Sequence, residues 1–227
     1  MADLVLKQMV ESLRKILLRG LSLAVISLVF AGNTAKANDT KKRIVILGDS
    51  ITAGYGLNLN QAYPALIQQK IAKAKLPFII VNAGVSGDTS AGGLRRVTWA
   101  LSKGADILVI ALGGNDGLRG IPPDETKKNL IGIVKKARAK NPMIKTFIAG
   151  MQMPNNMGSE FTERFKNLFP QVAKATQSRL IPFLIEGVGG DENLNQPDGI
   201  HPTTEGQKLV AENVWKILLP ELTTKGP

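Results

Sequence analysis

The sequence predicts a three-layer α/β/α sandwich built on a five-stranded parallel sheet. Five short runs rich in Val, Ile, Leu and Phe recur along the chain. They are apolar without alternation, as strands buried on both faces must be. Between them lie stretches whose apolar residues repeat at helical spacing, and right-handed crossovers between parallel strands place such helices on both faces of one sheet. The length of 227 residues, with 44% hydrophobic and 21% charged, suits one globular domain with a substantial core. No internal repeat or low-complexity linker interrupts it.

At the amino terminus, Arg14, Lys15 and Arg19 precede the apolar run from Leu21 to Ala31. That run is short of the ~20 residues a membrane span needs and has the length of a signal-peptide core. Ala35 and Ala37 supply small residues at the two positions a signal peptidase reads. The expectation is a signal peptide over residues 1–37, cleavage after Ala37, and a mature domain over 38–227 that is periplasmic or secreted. The competing reading is an uncleaved anchor, because the leader ahead of the apolar run is long and holds Asp3 and Glu11. The chain has no cysteine, which excludes a disulfide framework, a lipid-modified leader cysteine and thiol catalysis.

The first strand, Arg43 to Leu47, breaks into Gly48-Asp49-Ser50 and so puts the Ser50 hydroxyl at the carboxyl end of a central strand. Open α/β sheets hold their ligands at that edge. Taken alone, Gly-Asp-Ser is equally a capped tight turn. Tyr63, Leu66, Ile67 and Ile71 mark a helix, with Pro64 tolerated in its first turn. The second strand, Phe78 to Asn82, runs into the Gly87 turn, where a backbone N–H can face the same crevice. The third, Asp106 to Ala111, leads to Gly113-Gly-Asn-Asp116 with Asn115 at the strand edge; by itself this too is a turn signal.

Leu130, Val134 and Ala137 form the next helical stripe. Asp124 and Glu125 at its start and Lys135, Lys136 and Arg138 at its end suit the macrodipole, and Asn141-Pro142 stops it. The fourth strand spans Lys145 to Gly150, followed by a helix with Phe161, Phe165, Phe169 and Val172 on one face, which Pro170 is expected to kink or split. Leu180 to Phe183 is the fifth strand. The last helix carries Val210, Val214, Ile217 and Leu218, opened by a Thr204-to-Gln207 capping box and closed at Pro220.

His201 is the only histidine, and a solitary histidine is more often a packing or surface residue than a catalyst. Here it stands in a loop between Pro197 and Pro202, three residues after Asp198, whose carboxylate is near enough to orient its ring. A hydroxyl is a poor nucleophile at neutral pH until a base removes its proton, and imidazole is the side chain suited to that.

Taken together, Gly48-Asp49-Ser50 with Gly54, the Gly87 turn, Gly113-Gly-Asn-Asp116 and Asp198-Gly-Ile-His201 resemble the blocks of the SGNH, or GDSL, hydrolase family. The resemblance covers Lys42 to Leu219. It is strongest to the branch of bacterial periplasmic acyl-CoA thioesterases, arylesterases and lysophospholipases, through Gly113 to Gly120 and the Met153-Pro154 stretch. It implies a flavodoxin-like sandwich and a serine esterase acting on acyl esters, thioesters or lysophospholipids. Ser50 would be the nucleophile, His201 the base, Asp198 its support, and the N–H groups of Ser50 and Gly87 with the Asn115 amide the oxyanion hole. Met153 and Pro154 would bind substrate, in a segment from Met151 to Phe161 that covers the acyl chain; Met151, Met153 and Met157 suit a pliable groove or equally the core beneath it.

Two rival functions fit the sequence less well. A carbohydrate O-acetyl esterase of the same family would need aromatic platforms, and aromatics are 5% of the chain. A non-catalytic phosphate- or nucleotide-binding module would need a glycine pattern that Gly48 to Gly56 lacks. The mechanism calls for no cofactor and no metal. The net charge is +11, and Lys7, Arg14, Lys15, Arg19 and Lys36 against Asp3 and Glu11 in the leader leave +8 for the rest. With the basic residues dispersed and no recognisable motif, the charge reads as a mostly solvated surface and nucleic acid is not an expected partner; attraction to an acidic substrate or transient contact with an anionic membrane surface is the lesser reading, for a monomer acting on small molecules.

Overall fold

The computed structural model describes residues 41–224 together with Asp3, Lys7, Met9 and Glu11. The expected leader and its cleavage point lie outside the described residues. Five strands, β1 (Lys42–Gly48), β2 (Phe78–Gly84), β3 (Ile107–Ala111), β4 (Lys145–Ala149) and β5 (Arg179–Ile181), form one parallel sheet in the order β2-β1-β3-β4-β5. This is the doubly wound flavodoxin-like order, which reverses direction between β1 and β3 and leaves a crevice there. The central strands are apolar along their length because both faces are covered: Ile44 to Leu47 and Leu108 to Ala111 are fully buried.

Seven helices complete the layers among the described residues: α1 (Ser50–Ala53), α2 (Tyr63–Lys73), α3 (Ser90–Ala100), α4 (Gly114–Leu118), α5 (Pro123–Lys140), α6 (Ser159–Ala175) and α7 (Thr204–Thr223). The second pairs with the seventh, while the third, fifth and sixth pack in sequence against one another. Phe165 and Phe169 of α6 meet edge to face and sit fully buried beside the sheet.

Several sequence expectations are corrected. Pro170 does not split α6, and α7 runs past Pro220 to Thr223. Both prolines lie on the solvent side, as do Lys166 and Lys216 one turn earlier, so the carbonyls that lose a partner face water. The cap of α7 is Thr203, whose hydroxyl accepts the Gly206 N–H; Gln207 is buried instead and ties distant chain segments together, its Oε1 accepting the Tyr63 N–H and its Nε2 donating to Ile51 O. The fifth strand ends at Ile181, since Pro182 cannot donate to a ladder.

Candidate active site

At the carboxyl end of β1 the chain turns into α1 within two residues. Asp49 caps that helix, its Oδ1 accepting the Ile51 N–H at 3.0 Å, and Ser50 is the first helical residue. So tight a turn requires small neighbours: a Cβ on Gly84, at the end of β2, would run into the Ala53 backbone. The short helix is thereby seated on the sheet with the Ser50 side chain just reaching solvent.

His201 arrives from the opposite end of the sequence. Its Nε2 lies 2.9 Å from Ser50 Oγ, and its Nδ1 lies 2.7 Å from Asp198 Oδ2. Asp198 Oδ1 also accepts the N–H groups of Ile200 and His201, each at 2.9 Å, an Asx turn that fixes the carboxylate against its own loop. These bonds hold the Asp198 carboxyl down at about 2, the His201 backbone N–H contributing most. The ring is flanked by Tyr55 at 4.4 Å between centroids, and Gln196 Nε2 donates to Tyr55 O at 2.8 Å, tying this loop to the turn after α1.

Gly87 follows β2 and Asn115 lies in α4 just after β3, at the same edge of the sheet as Ser50. Gly87 has φ +76°, a left-handed conformation that a side chain resists. Among the described residues, the N–H groups of Ser50 and Gly87 have no backbone acceptor outside the regular ladders. Asn115 Nδ2 donates to Asp88 O at 3.0 Å, which links its loop to the Gly87 turn. Beneath this pair lies a buried polar cluster: Asp116 accepts from the Ser90 N–H at 2.8 Å, from the Ser90 hydroxyl, and from Thr126 Oγ1 at 3.3 Å. Arg96 adds a second clamp, donating to Asp88 Oδ2, Ala83 O and Gly48 O at 2.7, 2.8 and 2.8 Å.

A cleft of about 460 Å³ opens beside these groups, lined by Ile51, Leu118, Met151, Met153, Pro154 and Ile200 among others. Met151 and Met153 line this cleft and also pack into the core. A single acceptor nitrogen on a hydroxyl, with free N–H groups nearby and an apolar cleft alongside, can deprotonate an alcohol and hold an acyl chain. No group of metal-ligating side chains occurs among the described residues.

Sequence reasoning gave no role to Asp49, Tyr55, Arg96, Asp116 or Gln196. Asp49 and Asp116 sit inside motifs whose signal comes from the neighbouring Ser50 and Asn115. Arg96 and Gln196 had no local signal, because their partners lie in other elements. Asp49 is buried, and desolvation pushes its carboxyl up to about 6.

Comparison with known proteins gives concordant matches. The GDSL-like Lipase/Acylhydrolase family matches residues 46–209. The chain is 43% identical over 180 residues to Esterase TesA of Pseudomonas aeruginosa, covering 79% of this chain and 89% of that protein. It is 37% identical over 187 residues to Thioesterase 1/protease 1/lysophospholipase L1 of Escherichia coli, covering 82% and 86%. The crystal structure of TesA superposes with a TM-score of 0.76 at 42% identity, over 79% of this chain and 99% of that one. With motif order, sheet topology and these relatives in agreement, the chain belongs to the GDSL-like lipase/acylhydrolase family of ester hydrolases.

Proposed function

We propose that this chain is a serine esterase that hydrolyses carboxylic ester and thioester bonds of acyl substrates through a Ser50-His201-Asp198 triad and an acyl-enzyme. The observation that carries the reading is the unbroken line from Asp198 Oδ2 through the imidazole to Ser50 Oγ, at 2.7 and 2.9 Å. His201 Nε2 takes the Ser50 proton as Oγ attacks the acyl carbon, then gives it to the departing alcohol or thiol. Water, deprotonated by the same nitrogen, releases the acid. The N–H groups of Ser50 and Gly87 and the Asn115 amide receive the oxyanion, while Met153 and Pro154 flank the acyl chain.

Export completes the reading: residues 1–37 act as a cleaved leader and the enzyme works outside the cytoplasm. The names of the relatives, esterase and thioesterase, support the substrate class. The test is a kinetic panel of p-nitrophenyl esters, acyl-CoA thioesters and lysophospholipids, with Ser50→Ala beside the unmodified chain. Turnover of medium-chain acyl substrates that Ser50→Ala abolishes, together with fluorophosphonate labelling at Ser50, is the expected result. Labelling elsewhere would overturn the mechanism; faster release of acetate from acetylated sugar would replace the substrate class.

A further inference from the structure

The two ends of the sheet differ in charge. At the amino ends of the strands, opposite the crevice, stand six exposed lysines: Lys41 and Lys42 at the start of β1, Lys73 and Lys75 where α2 turns toward β2, Lys103 ahead of β3, and Lys140 at the end of α5. The sheet register makes these loops neighbours, with Lys42 opposite Phe78 and Ile107 opposite Lys145. Five strand starts at ~4.8 Å spacing span about 19 Å, so the lysines share one face. The acidic groups there are already engaged. Asp106 Oδ2 accepts the Arg43 backbone N–H at 2.7 Å, and Glu221 pairs with Lys145 at 2.9 Å and Arg179 at 2.7 Å. None of the six lysines has an acidic partner among the described residues.

Helix carboxyl termini account for Lys73 and Lys140, which complement the macrodipole. They do not account for Lys41 and Lys42, nor for two large apolar side chains on the same end of the molecule. Trp99, in the last turn of α3, is 75% exposed, and Met143, between α5 and β4, is 85% exposed. Met143 is held outward by a stiff loop: Asn141 donates Nδ2 to Ala105 O at 2.9 Å, and its Oδ1 accepts the Met143 N–H at 3.0 Å.

We infer that this face docks on an anionic phospholipid bilayer, with the lysines at the headgroups and Trp99 and Met143 entering the interface. Each lysine near such a surface is worth roughly five-fold in binding, and Trp is a favoured interfacial residue. Nucleic acid fits less well, since the face has one exposed aromatic and no stacking series. The seven residues of β1 set Ser50 roughly 23 Å from the lipid, on the far side of the sheet. The crevice then opens to the aqueous phase and takes its substrate from there.

The test uses the full chain, so that residues 1–40 are common to every protein compared. Vesicles are phosphatidylcholine alone or mixed with phosphatidylglycerol, some carrying chain-brominated lipid as a quencher. Trp99 emission, isolated as the difference between the chain and Trp99→Phe, is expected to be quenched on the mixed vesicles, less so at high salt, and not on phosphatidylcholine. Replacing Lys73, Lys75, Lys103 and Lys140 together by Gln should weaken the mixed-vesicle interaction by about 100-fold or more. Esterase turnover of a soluble ester should stay unchanged, which reports an intact fold. Should the four-fold variant fail to fold, Met143→Ser serves in its place, with a smaller loss expected. Trp99 left unquenched on both vesicle types, quenching insensitive to the lysines, or tighter binding to a DNA duplex than to mixed vesicles would each overturn the inference.

Discussion

Ser50 and His201 face each other across 2.9 Å, yet they are held by different means. Ser50 rests on the sheet next to buried Asp49, and the Asp116 and Arg96 clusters at this edge are fastened by bonds between separate elements. His201 and Asp198 sit in a loop whose side chains are 18% and 38% exposed, secured by bonds within the loop and by the Gln196 tether. Ser50 and the Gly87 and Asn115 loops thus owe their positions to contacts across the fold, whereas His201 and Asp198 owe theirs to a few local contacts. Changes on the sheet side should cost stability as well as rate, and changes in the loop should cost mainly rate.

The largest expected effect tests the loop. Asp198→Asn should lower kcat by about 10⁴ with little change in melting temperature, while Asp49→Asn, with an equally close sequence link to the site, should lower it less than about ten-fold. Equal losses would erase the distinction between the two carboxylates. Next is Asn115→Ala, expected to cost on the order of 10² to 10³ in kcat. Full activity in the purified variant would remove that amide from the site.

A third comparison sets stability against rate directly. Asp116→Ala strands the Ser90 N–H and hydroxyl in the interior and should destabilise the fold by about 2–4 kcal/mol, read by urea unfolding. Gln196→Ala should leave the unfolding midpoint nearly unmoved and reduce kcat by about ten-fold, since it loosens the tether while the triad side chains remain.

The smallest effect is in pH dependence, where the two carboxylates pull in opposite directions. Burial raises Asp49 from 3.8 to about 6, so between those values the folded chain binds more protons than the unfolded one, and stability declines as pH rises through that window. Asp198 is lowered from 3.8 to about 2; its contribution is present above 3.8 and is lost as pH falls toward 2. Melting temperature followed across this range should lose its decline above pH 4 in Asp49→Asn, and a slope identical to that of the unmodified chain would contradict the assignment.

The strands were legible because burial on both faces forces unbroken apolar runs, as in Ile44 to Leu47. The second crossover helix, α3, was not read from sequence, since Gly92 and Gly93 argue against a helix. The structure explains both: a Cβ at Gly92 would collide with Asp88, and one at Gly93 with Leu112, so close packing outweighs propensity. Ser50, Gly87, Asn115, Asp198 and His201 could be picked out because each falls in a recognisable motif; the structure sets Ser50, His201 and Asp198 within hydrogen-bond distance and links Asn115 to the Gly87 turn through Asp88. Arg96 and Gln207 could not, because a single long-range partner leaves no periodic trace in the residues around it.

The alcohol and the imidazole lie 151 residues apart in the chain, and α7, which follows the imidazole, clips onto Tyr63 and Ile51 through Gln207. A polypeptide still being synthesised therefore carries Ser50 long before it carries His201. The Ser50–His201 contact forms only after the segment that carries His201 has been made and folded back onto the first strand.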